Sequence, residues 1–142
     1  MLLVLHFEAL GKPLAHELSE KHADWIDTSH TAGILLHRFL NEIYHDLWPG
    51  PGHLDSLIEN DAERALVASL RFADAQIDDP LKVAKEALRL LRSRALEPRL
   101  RQIELALAGA HLDSSVDAIS LLKQRSEIQR QLRAPIGLPP AL

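Results

Sequence analysis

The chain has 142 residues, of which 28 Leu and 18 Ala make up about a third, against only 15 β-branched residues (9 Ile, 4 Val and 2 Thr). So few β-branched side chains cannot furnish the pleated surfaces of a sandwich, barrel or doubly wound sheet, and the predicted class is all-α. The absence of cysteine excludes disulfide frameworks, Cys-ligated zinc, iron–sulfur clusters and thiol nucleophiles, and a net charge of −4 does not suggest a dedicated nucleic-acid binder.

Leu2, Leu3, Leu5 and Leu10 open a first helix, predicted to end at Gly11–Pro13, and a short piece Leu14–Leu18 leads towards Trp25. Asp27, Thr28 and Ser29 are N-cap candidates for a helix whose buried stripe is Leu36, Leu40, Ile43 and Leu47. Two prolines and two glycines between Trp48 and Gly52 must break that helix. Leu54–Ile58 reads as one helical turn. Asn60 and Glu63 have capping-box spacing, and Ala62, Leu66, Leu70 and Ala73 follow on one face.

Asp79-Pro80 is a helix start, a capping side chain followed by a proline whose missing N–H costs nothing in the first turn. Leu81, Ala84, Leu88, Leu91 and Ala95 form a seam for a partner helix. Pro98 cannot donate to the carbonyl of Arg94, so a kink or restart is predicted near Glu97. Leu100, Ile103, Leu107 and Ala110 resume the stripe until Gly109 and His111 signal a stop. A Ser114-x-x-Asp117 box then opens a last helix with apolar Ile119, Leu121, Leu122, Ile128 and Leu132. The predicted architecture is a helical bundle over 1–97, a C-terminal two-helix hairpin over 98–133 turning at Gly109–Asp113, and a linker or frayed tail over 134–142. A hairpin cannot bury both faces on itself, so it must dock on the bundle or present an apolar stripe to a partner.

The length suits one domain, burying roughly two-thirds of its unfolded surface. No apolar run reaches a membrane span, and Met1–Phe7 is too short for a signal-peptide core; with no cysteine, a cytoplasmic protein is expected. Charge is uneven: residues 1–71 hold 5 basic and 11 acidic residues, and residues 72–142 hold 11 and 9.

No catalytic constellation emerges. Glu42-x-x-His45 matches half of a di-iron bundle site, but no second Glu-x-x-His occurs, so no metal or cofactor is expected and a solvated helix face is the simpler reading. His30 and His37, seven apart, suit surface positions better than ligation, and Asp78-Asp79 suits a helix cap better than an acidic metal pair. Arg89, Arg92, Arg94, Arg99 and Arg101 form a basic run, read as a solvated face with ion pairs such as Lys82–Glu86 or as a surface for an acidic protein. Aromatic residues do not interleave with these arginines, so direct nucleic-acid contact is not expected.

The order of these elements carries a resemblance. A leucine-rich first helix (Leu2-Leu3-x-Leu5) precedes Asp24-Trp25 and the Leu35–Leu47 helix; Leu54–Ile58 leads into Leu66–Leu70. Then come Ala87-Leu88-x-x-Leu91-x-x-x-x-Leu96-x-x-x-Leu100-x-x-Ile103 and a closing helix rich in Leu, Lys, Gln and Arg. To about Leu132 this resembles the C-terminal, helicase-binding domain of bacterial DNA primase, in apolar spacing and helix order rather than in an invariant motif. The resemblance implies a bundle and a helical hairpin, the hairpin docking on the N-terminal domains of the hexameric replicative helicase. It also implies that primer synthesis, a nucleotidyltransferase reaction, resides in separate upstream modules of the parent primase. Pro98 lies where relatives often have one continuous helix, the Trp48–Gly52 loop is richer in Pro and Gly, and the Pro-rich tail passes the usual end.

The candidate partner-binding residues are hairpin positions, not a motif carried over from the family: Leu121, Leu122, Arg125, Ile128, Gln129 and Leu132 on the last helix, with Arg101 and Leu105 opposite. Alone, the domain is expected to be a monomer or weak dimer. Rival readings are the N-terminal domain of the replicative helicase itself, which shares this build and self-associates, and an unrelated helical adaptor or small metal-dependent bundle enzyme.

Overall fold

The computed structural model of the protein describes residues 1–73, 76–109 and 115–141. Among these the regular elements are all helical: α1 (Leu2–His6), α2 (Gly11–Ala15), α3 (Thr31–Tyr44), α4 (Leu54–Leu57), α5 (Asp61–Phe72), α6 (Pro80–Gly109) and α7 (Ser115–Arg133), with short 3-10 or π turns between several of them. The all-α class is what the Leu and Ala surplus predicts. No helix of the described residues is long and apolar enough to cross a membrane.

Gly11–Pro13 begin a helix and do not end one. Pro13 falls in the first turn of α2, where an N–H has no intrahelical acceptor to lose. The chain continues from α2 into a wider π turn over His16–Lys21, closed by the His22 amide on the Glu17 carbonyl at 2.9 Å.

The cap of α3 is His30, whose Nδ1 accepts from the Gly33 amide at 3.1 Å, and not the Asp27–Ser29 cluster. Asp27 instead accepts from the Ser29 amide at 2.9 Å, turning the chain just before the helix. There Gly33 is obligatory, because a Cβ would lie 1.6 Å from the Asp27 carbonyl oxygen. At its other end α3 stops before the Pro/Gly loop. Asp46 takes a left-handed φ of 56°, its amide bonds the Ile43 carbonyl, and the Leu47 amide bonds that of Glu42. This paired C-terminal bonding places Leu47 outside the helix and leaves it 62% exposed, off the stripe predicted for it.

Asn60 caps α5 as its spacing predicts, with Oδ1 accepting from the Glu63 amide at 2.9 Å. The buried face of α5 differs from the expected one, because Ala62 is exposed while Glu63 and Val67 are buried. Arg38 accounts for the difference. Its Nη1 lies 3.0 Å from Glu63 Oε2 and also donates to the Leu57 carbonyl, and its Nη2 lies 3.0 Å from Glu59. A buried carboxylate is tolerated only with such a partner.

Leu10, Leu35, Phe39, Leu40, Leu54, Val67 and Leu88 are the large side chains at the centre of one core cluster. Trp48 packs edge-on against Phe39, ring centroids 4.2 Å apart. The cluster takes in α6 through Leu81, Ala84 and Leu88, with Leu91 and Ala95 packed at its edge. Residues 134–141 are no frayed tail, because Leu138 is 7% exposed within the same cluster and Ile136 packs against it.

Candidate interaction surface

Asp79 starts α6 as predicted, accepting from the Lys82 amide at 3.1 Å just ahead of Pro80. The helix then runs 30 residues to Gly109 and does not restart at Pro98. The proline and Arg94, whose carbonyl it leaves without a donor, are both exposed, so water can take up the orphan acceptor. Bundle and hairpin therefore share a helix, and the division between 1–97 and 98–133 falls inside it.

Beyond the core cluster, α6 buries Leu96 and Ile103, with Leu100 and Leu107 half-buried at the same spacing. α7 packs on α6 and shows its own half-buried stripe, Ala118, Leu121, Arg125, Ile128 and Leu132, at steps of three and four. Two helices each offering one such stripe meet along a coiled-coil-like seam. The predicted turn at Gly109–Asp113, the stripe position Ala110 and the cap at Ser114 lie, wholly or in part, outside the described residues.

The eight candidate contact residues do not form one face. Leu121, Arg125, Ile128 and Leu132 lie in the seam against α6, Gln129 is half-buried beside it, and Arg101, Leu105 and Leu122 point to solvent. On α7 the outward side is Ile119 (51% exposed) and Leu122 (41%), which with Lys123, Ser126, Glu127 and Arg130 line a shallow groove of about 380 Å³. Of the apolar positions expected on the last helix, Ile119 and Leu122 fall off the seam, and the step of three between them and then of four to Ser126 marks a separate outward stripe. Leu105, on α6, is also exposed, at 66%.

Glu127 sits on the rim of this groove. Arg130 grips it through Nε at 3.0 Å and through Nη2, and Gln131 Nε2 donates at 3.0 Å. The Arg130 hydrogen bonds, then that of Gln131, lower its carboxyl to about 2. The carboxylate is thus satisfied within its own helix, and among the described residues Lys123 makes no ion pair.

The basic run separates into distinct roles. Arg92 is buried, Arg99 bridges Asp24 at 3.2 Å, and Arg89, Arg94 and Arg101 are exposed; among the described residues these three make no ion pair and Lys82 and Glu86 form none with each other. The two halves of Glu42-x-x-His45 diverge. Glu42 lies 3.9 Å from His53, while His45 follows the end of α3 with its ring edge-on to Tyr44. His30 is a helix cap and His37 is exposed. Among the described residues no three His, Asp or Glu come together in a way that could hold a metal.

The bundle also has a cavity of about 580 Å³ floored by Trp25, Leu36, Leu66, Leu70 and Leu91, with Asp24, Asp27 and Arg94 among its polar lining. Hydrogen bonds from Ser29 hold the Asp27 carboxyl below the usual carboxylate range. Such a lining suits an apolar side chain or small apolar ligand. The chain matches no known family model, no curated protein and no solved structure with which it was compared.

Proposed function

We propose that this chain is the helicase-interaction domain of a bacterial DNA primase, a binding module that holds primase at the fork by docking its hairpin on the N-terminal domains of the replicative helicase. The observation that carries this reading is the hairpin's outward apolar display. Ile119 and Leu122 are left uncovered on the outward side of α7, where they line a groove with Lys123, Ser126, Glu127 and Arg130, and Leu105 is uncovered on α6. Exposed large apolar residues grouped together and rimmed by charges, as Ile119 and Leu122 are, mark a protein-binding face. The helix order and apolar spacing that resemble the primase domain supply the identity of the partner. The contribution to priming would be an increase in effective concentration, achieved by tethering and not by chemistry.

Gel filtration or calorimetry with the cognate hexameric helicase tests this directly. A complex that forms with the native chain and is lost with Ile119→Gln/Leu122→Gln is the expected result. No complex at tens of micromolar protein would exclude the proposal.

A further inference from the structure

None of the described side chains of α7 is buried, and the helix packs chiefly on one neighbour, α6. The segment that follows it, 134–141, forms no regular element and yet returns to the bundle. Leu138 enters the core cluster, and Ile136 packs at its edge. From α6, Arg92 Nη1 donates to the Ala134 carbonyl at 2.6 Å. Arg92 is itself only 6% exposed, and its guanidinium lies 5.9 Å from the centre of the Trp25 ring. Gly137 passes so close to the buried Glu17 on the π turn that a Cβ would come within 2.4 Å of its Oε1, an oxygen already held by Lys21 Nζ at 2.9 Å.

We propose that residues 134–141 are a releasable strap that locks the hairpin to the bundle, with Arg92 as its catch. Closed, the strap ties the C-terminal end of α7 to the core and holds the outer groove in one orientation. Open, it frees α7 from the bundle and uncovers Arg92 and the slot of Leu138.

Two features make the strap weak enough to open. It has one buried side chain of its own, Leu138, and one hydrogen bond from a charged group. Against these stands Arg92 Nε, a buried donor with no partner, on a guanidinium whose charged form burial disfavours. Pro135, Pro139 and Pro140 limit the conformations the open segment can explore, so closing it again costs little order. Linkage then makes the device reciprocal: a partner that fits the groove only in the locked pose tightens the strap by the factor by which the strap tightens the partner. The strap does not depend on what that partner is.

Hydrogen exchange followed by mass spectrometry on the full chain tests this. In Leu138→Asp the amides of 117–133 should exchange about tenfold faster while those of α3 keep their protection. Gly137→Val, which removes no apolar contact and lifts the segment off Glu17, should give the same pattern in weaker form. Unchanged exchange in 117–133 in both variants would show that the seam alone holds the hairpin. Loss of α3 protection in step with α7 would show that Leu138 is an ordinary core residue. Either result overturns the strap.

Discussion

Bundle and hairpin are built from the same residues at the same helical spacing, yet they bury them differently. In the bundle, Leu10, Leu35, Phe39, Leu40 and Leu54 are surrounded on all sides by five short helices and the first half of α6. In the hairpin two helices meet along one line, and only Leu96 and Ile103 on the α6 side are buried while every described position of α7 keeps some exposure. A pair of helices has one interface between them, so an apolar residue off that line, such as Leu105, Ile119 or Leu122, faces out. Both regions also leave large apolar side chains outside, Leu47, Phe72 and Leu90 on the bundle and Leu105, Ile119 and Leu122 on the hairpin; what differs is that the bundle has an enclosed centre and the hairpin has a single seam.

The largest effect should come from the bundle centre. Phe39→Ala removes a ring that is 1% exposed and packed on Trp48, and should cost about 3–5 kcal/mol in urea unfolding. A loss below about 1 kcal/mol would mean that the bundle is no better packed than the hairpin.

Next is Arg38→Ala, which strands Glu63 as a buried, unpaired carboxylate and should cost about 3 kcal/mol at neutral pH. The same pair sets an acid limb. The hydrogen bond from Arg38, then that from the Glu59 amide, holds the Glu63 carboxyl below the ordinary glutamate range. Its folded-state value is thus the lower one, so its contribution is complete above the unfolded value of about 4.3 and is lost as pH falls through and below it. Unfolding midpoints measured from pH 7 to 3 should fall for the native chain and fall less steeply for Glu63→Gln. Glu127, although lowered to about 2, is exposed on α7. An NMR titration should find its carboxyl returned towards the ordinary range in Arg130→Gln, with the unfolding midpoint nearly unmoved. A large shift in that midpoint would erase the contrast between the two regions.

Ile103→Ala trims the hairpin side of α6 and should cost about 2 kcal/mol, seen as faster amide exchange over 96–133 while the α3 amides are unaffected. Equal loosening of α3 would show that bundle and hairpin open as one unit. The smallest effect on stability, within about 0.5 kcal/mol, should be that of Ile119→Gln/Leu122→Gln, the pair whose loss is expected to abolish partner binding.

Much of the bundle was legible in the sequence, because its signals are local. Asn60 and Asp79 cap the helices that their spacing announced, and Leu81, Ala84 and Leu88 lie on the face their period predicts. The misreadings share a different origin. Gly11–Pro13 reads as a helix end, yet Pro13 sits in the first turn of α2; of the kink or restart expected near Glu97 the restart does not occur, because Pro98 lies on an exposed face of a continuous helix. Ala62 was placed inside on apolar grounds, whereas Arg38, 25 residues away, draws Glu63 in. The candidate surface was legible only as a region. Spacing located the apolar positions of α7, but Leu121 and Leu122 are adjacent in sequence and a third of a turn apart, and periodicity could not say which would meet α6.

By itself, then, the sequence determined the helical class, the starts of α5 and α6 and the absence of any cysteine chemistry, since propensity, caps and composition act within a turn or two of chain. Only the tertiary structure decided which of two apolar stripes α7 turns outward, that Arg92 is buried where its neighbouring arginines are exposed, and that the proline-rich end is packed against the bundle. Those outcomes depend on contacts between residues tens of positions apart, such as Arg92 with Ala134 and Glu17 with Gly137, and no local pattern encodes them.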